Sequence, residues 1–294
     1  LTYIIIGYDP GGNHANGVSY LKVTSDLRIE DFDSTIVSTC DEALSWLFDD
    51  QMINPDEVIA AGIDSFLSWP TIGVFRPMDD FLKREYPEVK SSIFSVNSAF
   101  GAMAIQGVIF AQILASVSPN LQLLNETHPK VAYHAQTARR HDYFAKRDNA
   151  VDDIKNEQVD HFKSVRKVYN ELNATRMWKE LLDWIGLSAS SKYSKSLNMS
   201  PQAMDHEWDA IYSAWFTYQF GIMTPGRNLM QPNSDEFLSA YLNDEQAAQI
   251  SSLRNSKISG NGAIKIAEIF KERIMIPKGI EGKVTYYWLP ASHQ

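Results

Sequence analysis

The chain has 294 residues, 44% apolar, 21% charged and 12% aromatic, the make-up of an ordinary globular protein. It contains no run of roughly 18 apolar residues, which argues against a helical membrane span, and its single cysteine, Cys40, excludes an internal disulfide and a cysteine-built zinc site. The net charge of −9 speaks against nonspecific coating of nucleic acid, yet it is uneven, because residues 1–80 hold 3 Lys/Arg against 14 Asp/Glu.

The N-terminus lacks a basic region followed by an apolar core and a small-residue cleavage site, so no secretory signal is expected. The absence of an initiator Met points to a trimmed start, and a reducing cytoplasm is the expected setting.

The opening stretch, Tyr3-Ile4-Ile5-Ile6-Gly7-Tyr8-Asp9-Pro10-Gly11-Gly12, reads as a short strand buried on both faces and stopped by Pro and Gly. Asp9 then lies at the carboxyl end of a central strand, where open α/β sheets gather their chemistry. Gly17 to Val23 alternates and reads as a second, antiparallel strand; Ile29 to Ser38 offers a weaker third. Asp41 to Leu47 reads as a helix with Thr39 as N-cap. Val58-Ile59-Ala60-Ala61-Gly62-Ile63-Asp64 repeats the opening pattern, a buried strand closed by an acid. A short amphipathic helix is expected near 79–86, and Gly101 to Ser116 predicts a helix apolar enough to pack on a sheet face. Leu121 to Glu126 reads as a further strand, again ending in an acid.

Residues 130–186 read as mostly helical and carry Arg139, Arg140, Lys146 and Arg147 among aromatics. The bland explanation of this cluster is a solvated helix face; the interleaved aromatics keep nucleic-acid contact open. Ser200-Pro201 opens a helix on which Met204, Trp208, Ile211, Trp215 and Tyr218 form an apolar stripe. His206 and Asp209, three apart, share a face, and Ala210 and Ser213 beside them are small enough to let this helix approach a sheet closely. Residues 224–234 read as a linker, followed by helices near 243–255 and 262–273 and a last strand from Lys283 to Leu289.

Asp9, Asp64, Glu126, His206 and Asp209 thus converge as candidate site residues. Grouped carboxylates repel unless a cation neutralises them, and a hard-oxygen set points to Mg²⁺ or Mn²⁺. Asp9, Asp64 and Asp209 are the expected metal ligands; two ions about 4 Å apart would activate a water and stabilise the leaving oxygen of a phosphodiester. Asp64 could instead cap its loop, and Glu126 could pair with a nearby Lys or Arg.

Gly7-Tyr8-Asp9-Pro10-Gly11 resembles the first-strand motif of RuvC-type Holliday-junction resolvases, and His206-Glu207-Trp208-Asp209-Ala210 resembles the His-x-x-Asp ending found in some of them. Gly62-Ile63-Asp64-Ser65-Phe66-Leu67-Ser68-Trp69-Pro70, Arg76-Pro77-Met78-Asp79 and Glu126-Thr127-His128-Pro129 more closely resemble a large uncharacterised family of predicted RNase H-like nucleases. The match spans roughly residues 3–220. It departs at the second acid, usually Glu in RuvC-type enzymes and here Asp64; Asp205, one turn before Asp209, is an alternative to His206.

The resemblance implies an α/β, RNase H-like mixed five-stranded sheet with helices on both faces, in a catalytic domain of residues 1–223. Residues 224–294 would form a helical extension packed on it. It implies a metal-dependent nuclease acting on DNA or RNA. Separately from the resemblance, Arg139, Arg140, Lys146 and Arg147 would be the nucleic-acid contacts if that cluster tracks a phosphate backbone; a homodimer stays open and a membrane partner is not expected. Two readings compete: a catalytically silent binding module, and an ATPase- or kinase-like phosphotransferase using Asp9-Pro10-Gly11-Gly12 as a phosphate loop.

Overall fold

The opening apolar run becomes β1 (Thr2–Asp9) in the computed structural model, which describes residues 2–11, 15–70, 75–94, 101–137, 174–187, 201–224, 226–230 and 274–289. Its side chains alternate between two cores, Ile5 on one face and Ile4, Ile6 and Tyr8 on the other. That explains an apolar run without polar alternation: the strand is covered from both sides. β2 (Asn16–Thr24) pairs antiparallel with β1, and β3 (Ile29–Val37) antiparallel with β2. β4 (Val58–Ile63) runs parallel to β1 on its other side, and β6 (Leu123–Glu126) runs parallel to β4.

The sheet has six strands in the order β3-β2-β1-β4-β6-β9, one more than the five expected. The sixth, β9 (Val284–Thr285), adds parallel to β6 and comes from the stretch expected to pack on the domain as an extension. The single last strand expected over 283–289 divides at Tyr286. There the backbone turns to a different partner: Asn228 Oδ1 accepts the Tyr286 N–H, and the Tyr286 carbonyl accepts the Leu229 N–H. Two short pairs stand outside the main sheet, β5 (Trp69–Pro70) with β8 (Ile274–Met275), and β7 (Arg227–Asn228) with β10 (Tyr287–Trp288). The helices expected near 243–255 and 262–273 lie outside the described residues, as do Arg139, Arg140, Lys146 and Arg147.

Helices cover both faces. α1 (Cys40–Ser45), whose N-cap Thr39 accepts the Glu42 N–H, and α3 (Gly101–Val117) lie on the Ile4–Ile6–Tyr8 side, where the Tyr8 ring stacks on Phe110 at 4.1 Å. α2 (Pro77–Glu85), α4 (Pro129–Thr137) and α5 (Ala174–Ile185) pack on the opposite side around α6 (Pro201–Thr217).

From Glu207 to its end, α6 is buried all round, which sets it between two layers. Its aromatic side (Trp208, Tyr212, Trp215, Phe216) meets the outer helices. Its other side meets strand backbone directly. A methyl placed on Gly7 of β1 would come within 1.9 Å of the Ala210 carbonyl oxygen, and one on Gly62 of β4 within 2.1 Å of that of Ser213. Gly17 of β2 meets the His206 carbonyl in the same way, at 2.0 Å. Three neighbouring strands therefore each offer a glycine to successive turns of one helix, and the obstacle is backbone that no rotamer change removes. Gly7→Ala and Gly62→Ala are each expected to lower the unfolding free energy by about 3 kcal/mol. Urea midpoints equal to wild type would show that α6 does not rest on these strands.

The candidate metal centre at the ends of β1 and β4

Asp9 is the last residue of β1, and Asp64 follows β4 directly, its N–H donated to the Tyr8 carbonyl at 2.9 Å. Both carboxylates leave adjacent parallel strands at the same end. The close seat of α6 brings Asp209, one residue before the Ala210 that touches Gly7, over that end. One carboxylate oxygen from each of Asp9, Asp64 and Asp209 lies within 4.8 Å of the others. Asp9 and Asp209 are buried, while 19% of the Asp64 side chain is exposed and opens the group to solvent.

His206 and Lys130 also bear on these acids. His206 Nδ1 shares a hydrogen with Asp9 Oδ2 at 2.7 Å, and Gly11 makes room for the ring, since a methyl there would meet its Cε1 at 2.4 Å. Lys130, in the first turn of α4, donates from Nζ to Asp209 Oδ2. The side chain of Asp205, the alternative to His206, lies outside what is described.

Glu126 does not join this acidic group; it takes the alternative left open for it, a pair with an arginine. It is fully buried, and the Arg76 guanidinium takes both its oxygens while the Leu67 N–H donates to one of them at 2.9 Å. Arg76 is equally enclosed. Its Nε donates to Asp79 Oδ2 at 2.9 Å, Nη2 to Asp79 Oδ1 at 2.7 Å, and Nη1 to Ser68 Oγ at 2.9 Å, with the Phe66 ring 4.7 Å from its Cζ. Burial draws the Arg76 pKa down, but Asp79 and Glu126 outweigh it and hold the guanidinium well above its ordinary value. The segments after Asp64 and around Arg76 and Glu126 thus meet in one buried ion network. Its product is a fixed 65–70 loop, with Leu67 tethered three residues beyond Asp64.

His128 lies between the two acidic groups, its Nδ1 3.7 Å from Asp64 Oδ1 and its ring also within reach of Asp79 and Glu126. Burial pulls its pKa down to about 4, Asp79 opposing and Arg76 and Lys130 reinforcing, so the ring is neutral at pH 7. The folded pKa lies below the ordinary 6.5, so stability is full above about pH 6.5 and is lost as pH falls toward 4. His128 should account for about 3 kcal/mol of that loss. Urea unfolding of the metal-free chain across this range should be less pH-dependent in His128→Phe than in wild type; equal slopes would refute the assignment.

The donors at Asp9, Asp64 and Asp209 are all hard oxygens, a set that fits Mg²⁺ or Mn²⁺ and not a soft ion. The Asp79–Glu126–His128 group does not fit a metal, because the Arg76 guanidinium already bonds both carboxylates. Lys130 is the residue beside the acids that carried no expectation, and Arg76, part of the Arg76-Pro77-Met78-Asp79 motif, had no partner assigned to it by name. Lys130 follows Pro129 directly at the end of the Glu126-Thr127-His128-Pro129 segment, a position from which a long side chain reaches the same sheet edge. No family model, curated protein or solved structure matches the chain.

Proposed function

We propose that this chain is a divalent-metal-dependent nuclease of RNase H-like architecture that hydrolyses phosphodiester bonds in DNA or RNA. The observation that carries the reading is the meeting of Asp9, Asp64 and Asp209, from two neighbouring parallel strands and a helix seated on their glycines. Three carboxylates so close, two of them buried, favour a divalent cation strongly. The sheet order supports the architecture: three antiparallel strands lead into parallel ones, and β9 is an addition at the edge.

In this reading Asp9, Asp64 and Asp209 hold Mg²⁺ or Mn²⁺. The bound ion would lower the pKa of a water and draw charge from the scissile phosphate. The chain's own groups prepare the site: His206 orients Asp9, Lys130 orients and partly neutralises Asp209, and the Glu126–Arg76 network fixes the loop after Asp64. The partner is nucleic acid. No helix among the described residues is long and apolar enough to cross a membrane.

The test is cleavage of branched, single-stranded and hybrid substrates with Mg²⁺ or Mn²⁺. Activity on at least one substrate should vanish on chelation and return when metal is restored. A chain that cleaves none of them with either metal would leave the silent binding module as the better reading.

A further inference from the structure

We infer that the Lys130 ammonium occupies the place of a second metal ion, so that the centre takes one divalent cation per chain. This rests on the metal-dependent reading above and names the stoichiometry of that same site. The two-ion arrangement expected from the sequence needs more anionic ligand than the described residues of the site offer. Glu126, the third acid at a strand end, is bonded through both oxygens to Arg76. Among the described residues, what remains is Asp9, Asp64 and Asp209, three negative charges within one 4.8 Å group.

One of those oxygens, Asp209 Oδ2, already accepts from Lys130 Nζ. A single divalent ion plus the lysine cation matches these three carboxylates in charge. Two ions plus the lysine would leave a net excess of two positive charges in a largely buried cluster, which low local dielectric opposes. Lys130 is also held in place rather than free to withdraw. Its backbone belongs to the first turn of α4, where the Val131 and Ala132 N–H groups both bond the His128 carbonyl, and both neighbours, Pro129 and Val131, are buried. Only 21% of its own side chain is exposed.

The experiment counts Mn²⁺ on metal-free protein by equilibrium dialysis and electron paramagnetic resonance, with far-UV circular dichroism to confirm folding. Wild type should bind one Mn²⁺ per chain and give a six-line signal without coupling between ions. Lys130→Arg keeps the cation and should also bind one. Lys130→Met removes the ammonium from Asp209 Oδ2 and Lys130→Glu puts a further carboxylate in its place; each should bind two, with the signal of a spin-coupled pair. Two coupled ions in wild type would overturn the inference while leaving the metal reading intact. So would a count of one in every folded variant among Lys130→Met and Lys130→Glu. Absence of Mn²⁺ binding by wild type would overturn the metal reading itself, and this inference with it.

Discussion

Asp9→Asn and Asp209→Asn should each abolish tight Mn²⁺ binding and lower cleavage by several orders of magnitude, with little change in fold. Asn keeps the size of Asp and most of its hydrogen bonding, so the 2.7 Å contact to His206 can persist at position 9 and the Lys130 contact at position 209. What each change removes is one of three negative charges. A divalent ion held by three carboxylates would lose much of its binding with one, and in the proposed nuclease the ion would supply both the nucleophile and the charge withdrawal. Removing like charge from a buried cluster relieves repulsion, so metal-free Asp9→Asn should unfold at the same urea concentration as wild type or a higher one. A residue held mainly for structure would behave oppositely, losing stability and keeping metal. Cleavage by Asp9→Asn at the wild-type rate, with Mn²⁺ affinity unchanged, would end the nuclease reading.

The sequence made part of this site legible because its signals are local. Asp9 and Asp64 each close an apolar run, and such runs ending in Pro-Gly or Ser turns read as buried strands with a known carboxyl end. Their adjacency then follows from the order of elements, since β4 is the first strand that can return parallel to β1. Asp209 was legible from its spacing to His206 and from the small residues Ala210 and Ser213. The glycines that receive this helix, Gly7, Gly17 and Gly62, complete that signal only once the three strands lie side by side.

What stayed hidden depends on contacts distant in sequence. Glu126 ends its strand as Asp9 and Asp64 do, and no local property distinguishes an acid that faces a metal centre from one that faces Arg76, fifty residues earlier. Lys130 sits where a helix start exposes most lysines, and only the placement of α6 turns its ammonium toward Asp209. A last strand over 283–289 was legible, but its place as the sixth strand of the main sheet was not, for a related reason. A two-residue strand carries too little pattern, and its pairing with β6 is fixed by Tyr286 turning to Asn228 and Leu229.

The buried network around Arg76 leads to the second large expectation, on stability. Arg76→Met should lower the unfolding free energy by about 3–5 kcal/mol, because it strands Asp79 and Glu126 without their cation at full burial. Glu126→Gln should cost less: Asp79 still pairs with Arg76, and the amide oxygen can still accept the Leu67 N–H. In the double variant, Arg76→Met with Glu126→Gln, one of the two stranded charges is gone, so stability should recover part of the loss. The same series reads out at the metal centre. Leu67 is tied to Glu126 three residues beyond Asp64, so loosening the network frees the loop that aims the second acid. Arg76→Met should therefore weaken Mn²⁺ binding by about 10- to 100-fold, the usual penalty for disturbing groups that orient a metal ligand. Glu126→Gln should weaken it much less, although it removes a carboxylate and Arg76→Met does not. That ordering separates an orienting role for Glu126 from direct ligation, which would make Glu126→Gln the more damaging of the two. Wild-type stability and wild-type Mn²⁺ affinity in Arg76→Met would show that neither the fold nor the site leans on this arginine.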